Sequence, residues 1–534
     1  CLRTQSDRNI YPGRVQEILL NTSNLEIKEG MVTSLLHDSE KVFGVVMSDG
    51  AEIRAKAVVI TTGTYMEAQI IRGLEKTASG PDGEKASVGL SKNLTEMGIE
   101  IYRLKTGTPP RIRKSSIDFS KASVQYGTNA KLAFSYTTKE FVAFENQAVC
   151  HLIYTSPKTH EIIRNNLERS AQFNGQIKGV GPRYCPSIEG KITTFYDKPR
   201  HQLFLEPETK DGDSIYIQGF ATSMPRDVQE QMVRSLPGFE NAEILKYGYA
   251  IEYDAIVPTQ FDATLRVKKY RGLYGAGQIC GTSGYEEAAG LGIMAGINAV
   301  LAIRGQAPLI LKRNEAYIAV MIDDLITKGA IEPYRLLSSR AEYRLLLRHD
   351  NADLRLTEYG YQLGLIPEAR YQSFLQKNES LNRVLSILRK TYLGANKKVN
   401  EYLRKIGCTP LKGGTLAYDL LKRPDVAYST MIELIPKLIF HPLDETGIMQ
   451  LEIMVKYEGY IAKQEKEAKS FAKFESLLLR EDLDYLHIDG LALEARQKLQ
   501  KIRPRTIGQA SRVGGVNPSD ISVLVLTLKR RGLL

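Results

Sequence analysis

The sequence has few cysteines, and their placement already excludes two kinds of protein. Cys1, Cys150, Cys185, Cys280 and Cys408 are odd in number, far apart and never in a C-x-x-C pair. That argues against a disulfide framework and a zinc site, and for a reducing compartment. We expect no metal. No apolar run reaches the ~20 residues that span a bilayer, so no membrane association is expected and the location reads as cytoplasmic. Also missing is an intact G-x-G-x-x-G, the usual fingerprint of a dinucleotide-binding turn. The start, Cys1-Leu2-Arg3-Thr4-Gln5, lacks an initiator Met and resembles neither a signal nor a transit peptide, so a start in mid-sequence is expected. Tryptophan is absent too, which excludes nothing.

What is present is ordinary for a folded protein of three or four domain-sized units: 534 residues, 43% hydrophobic and 25% charged. A formal net charge of +11 favours contact with polyanions, without separating nucleic acid from a membrane surface. Val42–Ser48, the Asp49-Gly50 turn and Ala51–Ile60 predict a hairpin. Val58-Val59-Ile60 reads as a strand buried on both faces, ending in the small-residue turn Thr61-Thr62-Gly63-Thr64. Ser87–Met97 reads as a helix, and Pro109-Pro110 as a rigid, extended exit. Residues 112–199 are mixed, with short runs at Leu132–Tyr136 and Val149–Tyr154 and a helix near Lys158–Ser170. Strand patterning resumes at Gln202–Leu205 and Ser214–Gln218. Beyond Gln306 the pattern turns helical, and from about Asp482 a small bundle is expected, with a helix start at Asn517-Pro518-Ser519-Asp520. The predicted division is 1–111 and 200–306 as two parts of one α/β domain, 112–199 as an α+β insertion, 307–481 as a helical domain and 482–534 as a C-terminal bundle.

Four features carry chemistry. Gly275–Gly284 reads as a strand, Gly-rich turn and helix start, which presents backbone N–H groups and a positive helix end to an anion. The helix after it bears small residues at Ala288, Ala289, Gly292, Ala295, Gly296 and Ala299, suited to close approach to a flat partner such as a flavin; tight helix–strand packing with no ligand fits equally well. Cys185 follows Arg183, a neighbour that stabilises thiolate, although a lone cysteine also serves as a small buried hydrophobe. Cys150 and His151 are adjacent on a strand and therefore point apart. Arg340, Arg344 and Arg348 would form one basic stripe on a helix, suited to phosphates, unless Glu342, Asp350 and Asp353 neutralise them.

These residues fall within a run of longer strings: TTGT from Thr61, KTGTPPRI from Lys105, GPRYCPSIE from Gly181 and HQLFLEPE from His201. GYAIEYD follows from Gly248, GAGQICGTSGYEEAAGLGIMAG from Gly275, EPYRLLSSRAEYRLLLRHDNADLRLT from Glu332 and VKYEGYIAKQ from Val455. Together they resemble the glucose-inhibited-division A (MnmG/GidA) family over essentially the whole chain. The resemblance implies a Rossmann-like FAD-binding α/β domain with an inserted α+β domain and an all-α C-terminal region. It implies a homodimer that installs a (carboxymethyl)aminomethyl group at C5 of the wobble uridine of tRNA, with FAD and NADH, and methylenetetrahydrofolate as carbon donor. Its implied partner is a tRNA-modifying GTPase of the MnmE family, in a heterotetramer.

Carried over position by position, the resemblance makes Val32, Ser87 and Gln278 flavin contacts. It assigns the dinucleotide to Gly181, Pro182, Arg183, Tyr184, Cys185, Pro186, Ser187, Ile188, Glu189, Gly190, Lys191, Ile192, Thr193, Thr194 and Phe195. Cys185 becomes a catalytic thiol. The family's opening strand and glycine turn for the FAD pyrophosphate, and its first functional cysteine, have no counterpart here. The expectation is therefore a chain lacking that segment, poor at holding FAD alone. Two other readings are a folate- and FAD-dependent tRNA uracil methyltransferase, which lacks the helical tail, and a non-catalytic scaffold that binds RNA or the GTPase.

Overall fold

The structure is a computed structural model that describes residues 4–184 and 186–533. The chain divides into two compact units, one of Cys1–Ile310 with Asp324–Arg335 and one of Leu311–Asp323 with Leu336–Leu534. The first is mixed α/β and the second almost wholly helical, so the predicted α/β class with a helical C-terminal region is observed.

In the first unit, helix α1 (Ile10–Leu20) precedes an antiparallel sheet of β1 (Val32–His37), β2 (Val42–Met47) and β3 (Glu52–Arg54). Its hairpin turns at Asp49-Gly50, where Gly50 takes φ +86°, a value L side chains rarely adopt. The returning run is not one strand. After Arg54 the chain changes sheets, and β4 (Val58–Ile60) pairs in parallel with a much later strand. Val59 is 36% exposed, so the expected burial on both faces is not found.

β5 (Gln69–Arg72), β6 (Glu75–Ala78), helix α2 (Leu90–Glu96) and β7 (Ile101–Thr108) follow, then β8 (Arg111–Arg113) after the Pro109-Pro110 exit. Next come β9 (Ser123–Gln125), β10 (Cys150–Tyr154), helices α3 (Pro157–Asn165) and α4 (Ile188–Thr194), β11 (Gln202–Pro207) and β12 (Ser214–Gln218). Helix α5 (Arg226–Arg234), β13 (Ile244–Lys246), β14 (Tyr249–Ile256), β15 (Leu273–Gly275) and helix α6 (Tyr285–Ile303) complete the unit's main elements.

A six-stranded antiparallel sheet has the order β13-β8-β12-β11-β10-β9. It runs past residue 199 to Lys246, which moves the far boundary of the predicted insertion. β11 and β12 pair with β10 and β8, not with the cofactor-domain strands. Ile112, Leu203, Ile217, Phe220, Val228 and Phe239 share its core. Leu132–Tyr136 holds no strand, and its large apolar side chains are exposed.

Within this insertion, His160 is buried, stacks on His201 at 5.3 Å and shares a 2.7 Å hydrogen bond with Thr155 Oγ1. Burial, foremost, lowers both imidazoles from their ordinary 6.5, and does the same to His151. The folded chain then binds fewer protons than the unfolded chain just below pH 6.5. Stability is full above that value and is lost as pH falls through the depressed folded values. The expected result is a melting temperature that drops as pH falls below 6.5. A His160→Gln variant should drop less, and identical slopes in the two proteins would refute the buried neutral pair.

The unit also holds a four-stranded antiparallel sheet, β6-β5-β14-β7, and the pair β15-β4, whose strands run parallel. α6 is apolar and long enough, by length and composition, to cross a bilayer. It serves instead as a core helix, with Leu291, Met294, Ala295 and Ala299 buried.

The second unit is built on helices α7 (Ala352–Gln362) and α8 (Glu368–Lys390) and shorter helices packed around Leu381, Leu403, Leu421, Tyr428 and Leu451. Its last part, helices Leu493–Ile502, Ile507–Ala510 and Pro518–Arg530, has a separate core from Leu479 to Leu528. Asn517 and Asp520 form the predicted helix start as a reciprocal capping box.

Candidate active site

The parallel pair β15-β4 sets the geometry. Ala276 N donates to Ile60 O at 3.0 Å, so the turns after both strands leave the sheet side by side at its carboxyl end. Gly63, Gly277 and Gly281 all take positive φ. At Gly281 a Cβ would meet Tyr102 Oη at 2.6 Å and Pro258 Cγ at 2.9 Å, so only glycine permits this turn. Gln278 projects toward the first turn, its Oε1 lying 4.0 Å from where a Gly63 Cβ would be.

Ser87 joins the same surface. Its N–H donates to Tyr65 O at 2.8 Å and its carbonyl accepts from Glu67 N at 2.9 Å. Gly89 then lies against Thr33, next to Val32, and Asn93 of α2 accepts from Leu35 N at 2.9 Å. The predicted positions Val32, Ser87 and Gln278 are thus joined through one connected set of loops. Thr62 Oγ1 is buried at this edge with no hydrogen-bond partner. An orphaned hydroxyl beside an amide side chain and three glycines fits a flat, polar ligand such as a flavin ring. Cys280 is buried, and burial pushes its thiol far above the usual range, which makes it a packing residue.

Two expectations for α6 need correction. Its buried face is Glu287, Gly290, Leu291, Met294, Ala295, Asn298, Ala299 and Leu301, whereas a Cβ at Gly292 or Gly296 would meet nothing within 4 Å. The larger Leu291 and Met294 take the packing side, and half of the small-residue stripe faces outward. Nor is the helix's positive end left for a ligand. Glu286 and Glu287 stand in its first turn, and Glu287 is buried and paired with Arg335 at 3.1 Å.

The segment before α4 is clipped to β7. Val180 bridges to Leu104, and the N–H groups of Lys178 and Gly179 donate to Glu252. Ser187 caps α4 by accepting from Gly190 N at 3.2 Å. Of the residues assigned to the dinucleotide, Ile188, Glu189, Gly190 and Ile192 are buried, and the two isoleucines belong to the insertion core. Ser187 is buried as well, and Gly181, Pro182, Arg183, Tyr184, Pro186, Lys191, Thr193, Thr194 and Phe195 remain as the positions a ligand could reach more readily. Arg183 is 75% exposed and pairs with Glu332 at 3.2 Å, a contact that draws its charge toward a carboxylate. Cys185 lies outside the described residues.

The arginine stripe is not helical. Ser338–Arg340 is a single 3-10 turn, and Glu342–Leu346 forms turns. Polar side chains take over the backbone groups there. Arg348 Nη1 donates to Leu345 O at 2.7 Å, Asn351 Nδ2 donates to Leu346 O at 3.0 Å, and Arg348 Nε donates to Asp350 at 3.0 Å. Glu342 and Asp353 are engaged elsewhere, by Arg313 and Lys377. Arg344 is exposed and Arg340 half-buried. The neutralised reading therefore holds for Arg348, and the three arginines share no helix face.

Sequence reasoning missed the charged ladder beneath Gly179 and Gly181: Arg103 and Lys105 on β7 opposite Asp254 and Glu252 on β14. The signal was there, in charges spaced two apart on each of two strands. Among the described residues, no group of three His, Cys, Asp or Glu side chains could hold a metal ion.

Comparison with known proteins agrees along the chain. The family described as "Glucose inhibited division protein A" matches residues 1–307. The "tRNA modifying enzyme MnmG/GidA C-terminal helical domain" matches 368–465, and the corresponding C-terminal helical bundle matches 467–533. The tRNA uridine 5-carboxymethylaminomethyl modification enzyme MnmG of Exiguobacterium sibiricum is 51% identical over 530 residues, 99% of this chain and 84% of that protein. The Bacillus subtilis enzyme of the same name is 49% identical, with the same coverage. The crystal structure of Aquifex aeolicus GidA superposes with a TM-score of 0.88 at 40% identity, over 98% of this chain and 83% of that one. The chain spans 84% of the length of these curated relatives.

Proposed function

As the chain belongs to the glucose inhibited division protein A family, we propose that it is a flavin-dependent tRNA-modifying enzyme acting on C5 of the wobble uridine. The observation that supports this best is the paired-loop edge, where Gln278, the orphaned Thr62 hydroxyl and three positive-φ glycines converge. Thr62, Ser87 and Gln278 would hold the ring of FAD there, with Val32 toward the adenine half. When bound, FAD supplies two-electron redox chemistry. The exposed positions of 181–195 would receive NADH, which reduces it.

Uracil C5 is too weak a nucleophile unaided. Cys185, as thiolate, adds to C6 and turns the pyrimidine into an enolate whose C5 takes the methylene of methylenetetrahydrofolate; the bond from that carbon to nitrogen breaks, tetrahydrofolate leaves, and glycine or ammonium supplies the amine. Loss of the C5 proton and expulsion of the thiolate restore the ring. The added group is a (carboxymethyl)aminomethyl substituent, made together with a GTPase of the MnmE family in a heterotetramer built on a homodimer of this chain. Arg340 and Arg344 remain candidates for tRNA phosphate contact; Arg348 is tied to Asp350.

Mass analysis of tRNA nucleosides from a strain lacking this gene tests the reading. Loss of the wobble modification, restored by the gene, is expected. Loss of T-loop methylation instead would favour the uracil methyltransferase, and an unchanged nucleoside profile would end both readings.

A further inference from the structure

Glu67 takes φ +47°, in the left-handed region that a residue with a Cβ occupies only at a cost. Met66 before it and Ala68 after it are buried, so the turn is seated in the protein on both sides. Hydrogen bonds hold it in that shape. Ala68 N donates to Tyr65 O at 3.2 Å, and Met66 O accepts from Asp254 N at 2.8 Å. Glu67 O accepts from Arg103 Nη2 at 3.0 Å, and Arg103 is itself fixed by Asp254 at 2.8 Å. Asp254 and Arg103 stand opposite each other on β14 and β7, so the strained turn is pinned to a paired ladder.

That turn grips one loop at two points. Glu67 N donates to Ser87 O at 2.9 Å, and Glu67 Oε1 accepts from Gly89 N at 3.0 Å. An N–H donated to a carboxylate is held more strongly than one donated to a neutral acceptor. Gly89 takes φ +98°, and a Cβ there would meet Thr33 O at 3.4 Å, which places the far end of the loop against β1. Val88, between the two grips, is 53% exposed, and Ser87 is half-buried. The loop is therefore anchored through its backbone and keeps its side chains within reach of a ligand.

We propose that Glu67 is a positioning residue for FAD: with its carboxylate and its strained backbone it holds the Ser87–Gly89 loop, and so Ser87, in place for the flavin. It acts through Ser87 and not on the ring. The proposal rests on the reading of Ser87 as a flavin contact. A loop released from this grip must be ordered at the moment of binding, and that cost falls on affinity.

The test is titration of the full chain with FAD, read by flavin fluorescence, beside hydrogen exchange of the Ser87–Gly89 peptide in the same proteins without FAD. Glu67→Gly adopts the left-handed backbone freely but has no carboxylate, so it isolates the side chain's share. Its Kd for FAD should rise about tenfold, with faster exchange in the peptide. Glu67→Ala lacks the carboxylate and keeps the strain, so it should bind more weakly still. Glu67→Gln retains an acceptor and should return to within about threefold of wild type, a rescue that a general loss of stability would not produce. Wild-type affinity in Glu67→Gly that is folded by circular dichroism overturns the proposal. If that variant does not fold, Glu67→Asn replaces it, since asparagine tolerates the same backbone and its shorter side chain falls short of Gly89. Weakened FAD binding there supports the proposal, and wild-type affinity overturns it. Failure of the flavin reading is separate: the wild-type chain would then bind no FAD. Faster exchange in Glu67→Gly would still support the grip of Glu67 on the loop, and unchanged exchange would overturn it.

Discussion

Asp323→Ala is expected to cost the helical unit about 3–5 kcal/mol, the usual penalty for breaking a buried ion pair from one side. Asp323 stands between two arginines. Arg512 Nε and Nη2 donate to its two carboxylate oxygens at 2.5 and 3.0 Å, and Arg313 Nη1 donates to one of them at 2.9 Å. Each guanidinium has a further acid, Glu342 for Arg313 and Glu475 for Arg512. The alanine would leave both cations facing one another in a site that water hardly enters, since the three central side chains are 9–16% exposed. Asp323→Asn keeps the shape and one acceptor, so it should cost less than the alanine but more than a surface change. Hydrogen exchange on the full chain is the better measurement, because a protein of several units need not unfold in one step. Protection should fall most in Pro518–Arg530 and the neighbouring Ile507–Ala510. A loss below about 1 kcal/mol would mean that the network is solvated and holds little.

This network also marks where sequence reading stops. Arg512 and Asp323 are 189 positions apart, and nothing local in either segment points to the other. Features that depend on a few neighbouring residues were legible. Asp49-Gly50 specified its hairpin, and Asn517-Pro518-Ser519-Asp520 its helix start; Tyr285 begins α6 as expected. The positions Val32, Ser87 and Gln278 came from the family resemblance, and the structure brings them onto connected loops. Features that depend on competition were not legible. Arg340, Arg344 and Arg348 have helical spacing, but the side chains of Arg348 and Asn351 claim the carbonyls a helix would need. The boundary at residue 199 failed because β8 finds its partners a hundred and more residues later, at Ser214–Tyr216 and Ile244–Lys246. Lys105 is buried on β7, and Gly181, which lies against it, arrives from a distant segment.

Cys185→Ser is expected to abolish tRNA modification, by at least about 10³-fold, while leaving FAD binding unchanged. A serine hydroxyl matches the thiol in size but is hardly ionised near neutral pH, so it could not make the proposed addition to C6. Among the described residues no other cysteine offers a substitute. Cys280 and Cys408 are buried, with burial raising both thiols, and Cys150 stands on strand β10 next to His151, whose ring lies tilted against Phe119. The proposed flavin edge lies on the turns after β4 and β15, outside the 181–187 loop, which is why cofactor retention separates chemistry from folding. Three readouts on one variant decide the matter: flavin absorbance per chain, tRNA affinity and modified nucleoside formed. Retained flavin and tRNA binding with no product places the sulfur in the covalent step. Product at the wild-type rate would remove Cys185 from the reaction and leave the loop as a binding element alone. A joint loss of flavin and product would show the loop to be structural, its serine unable to replace a packed thiol.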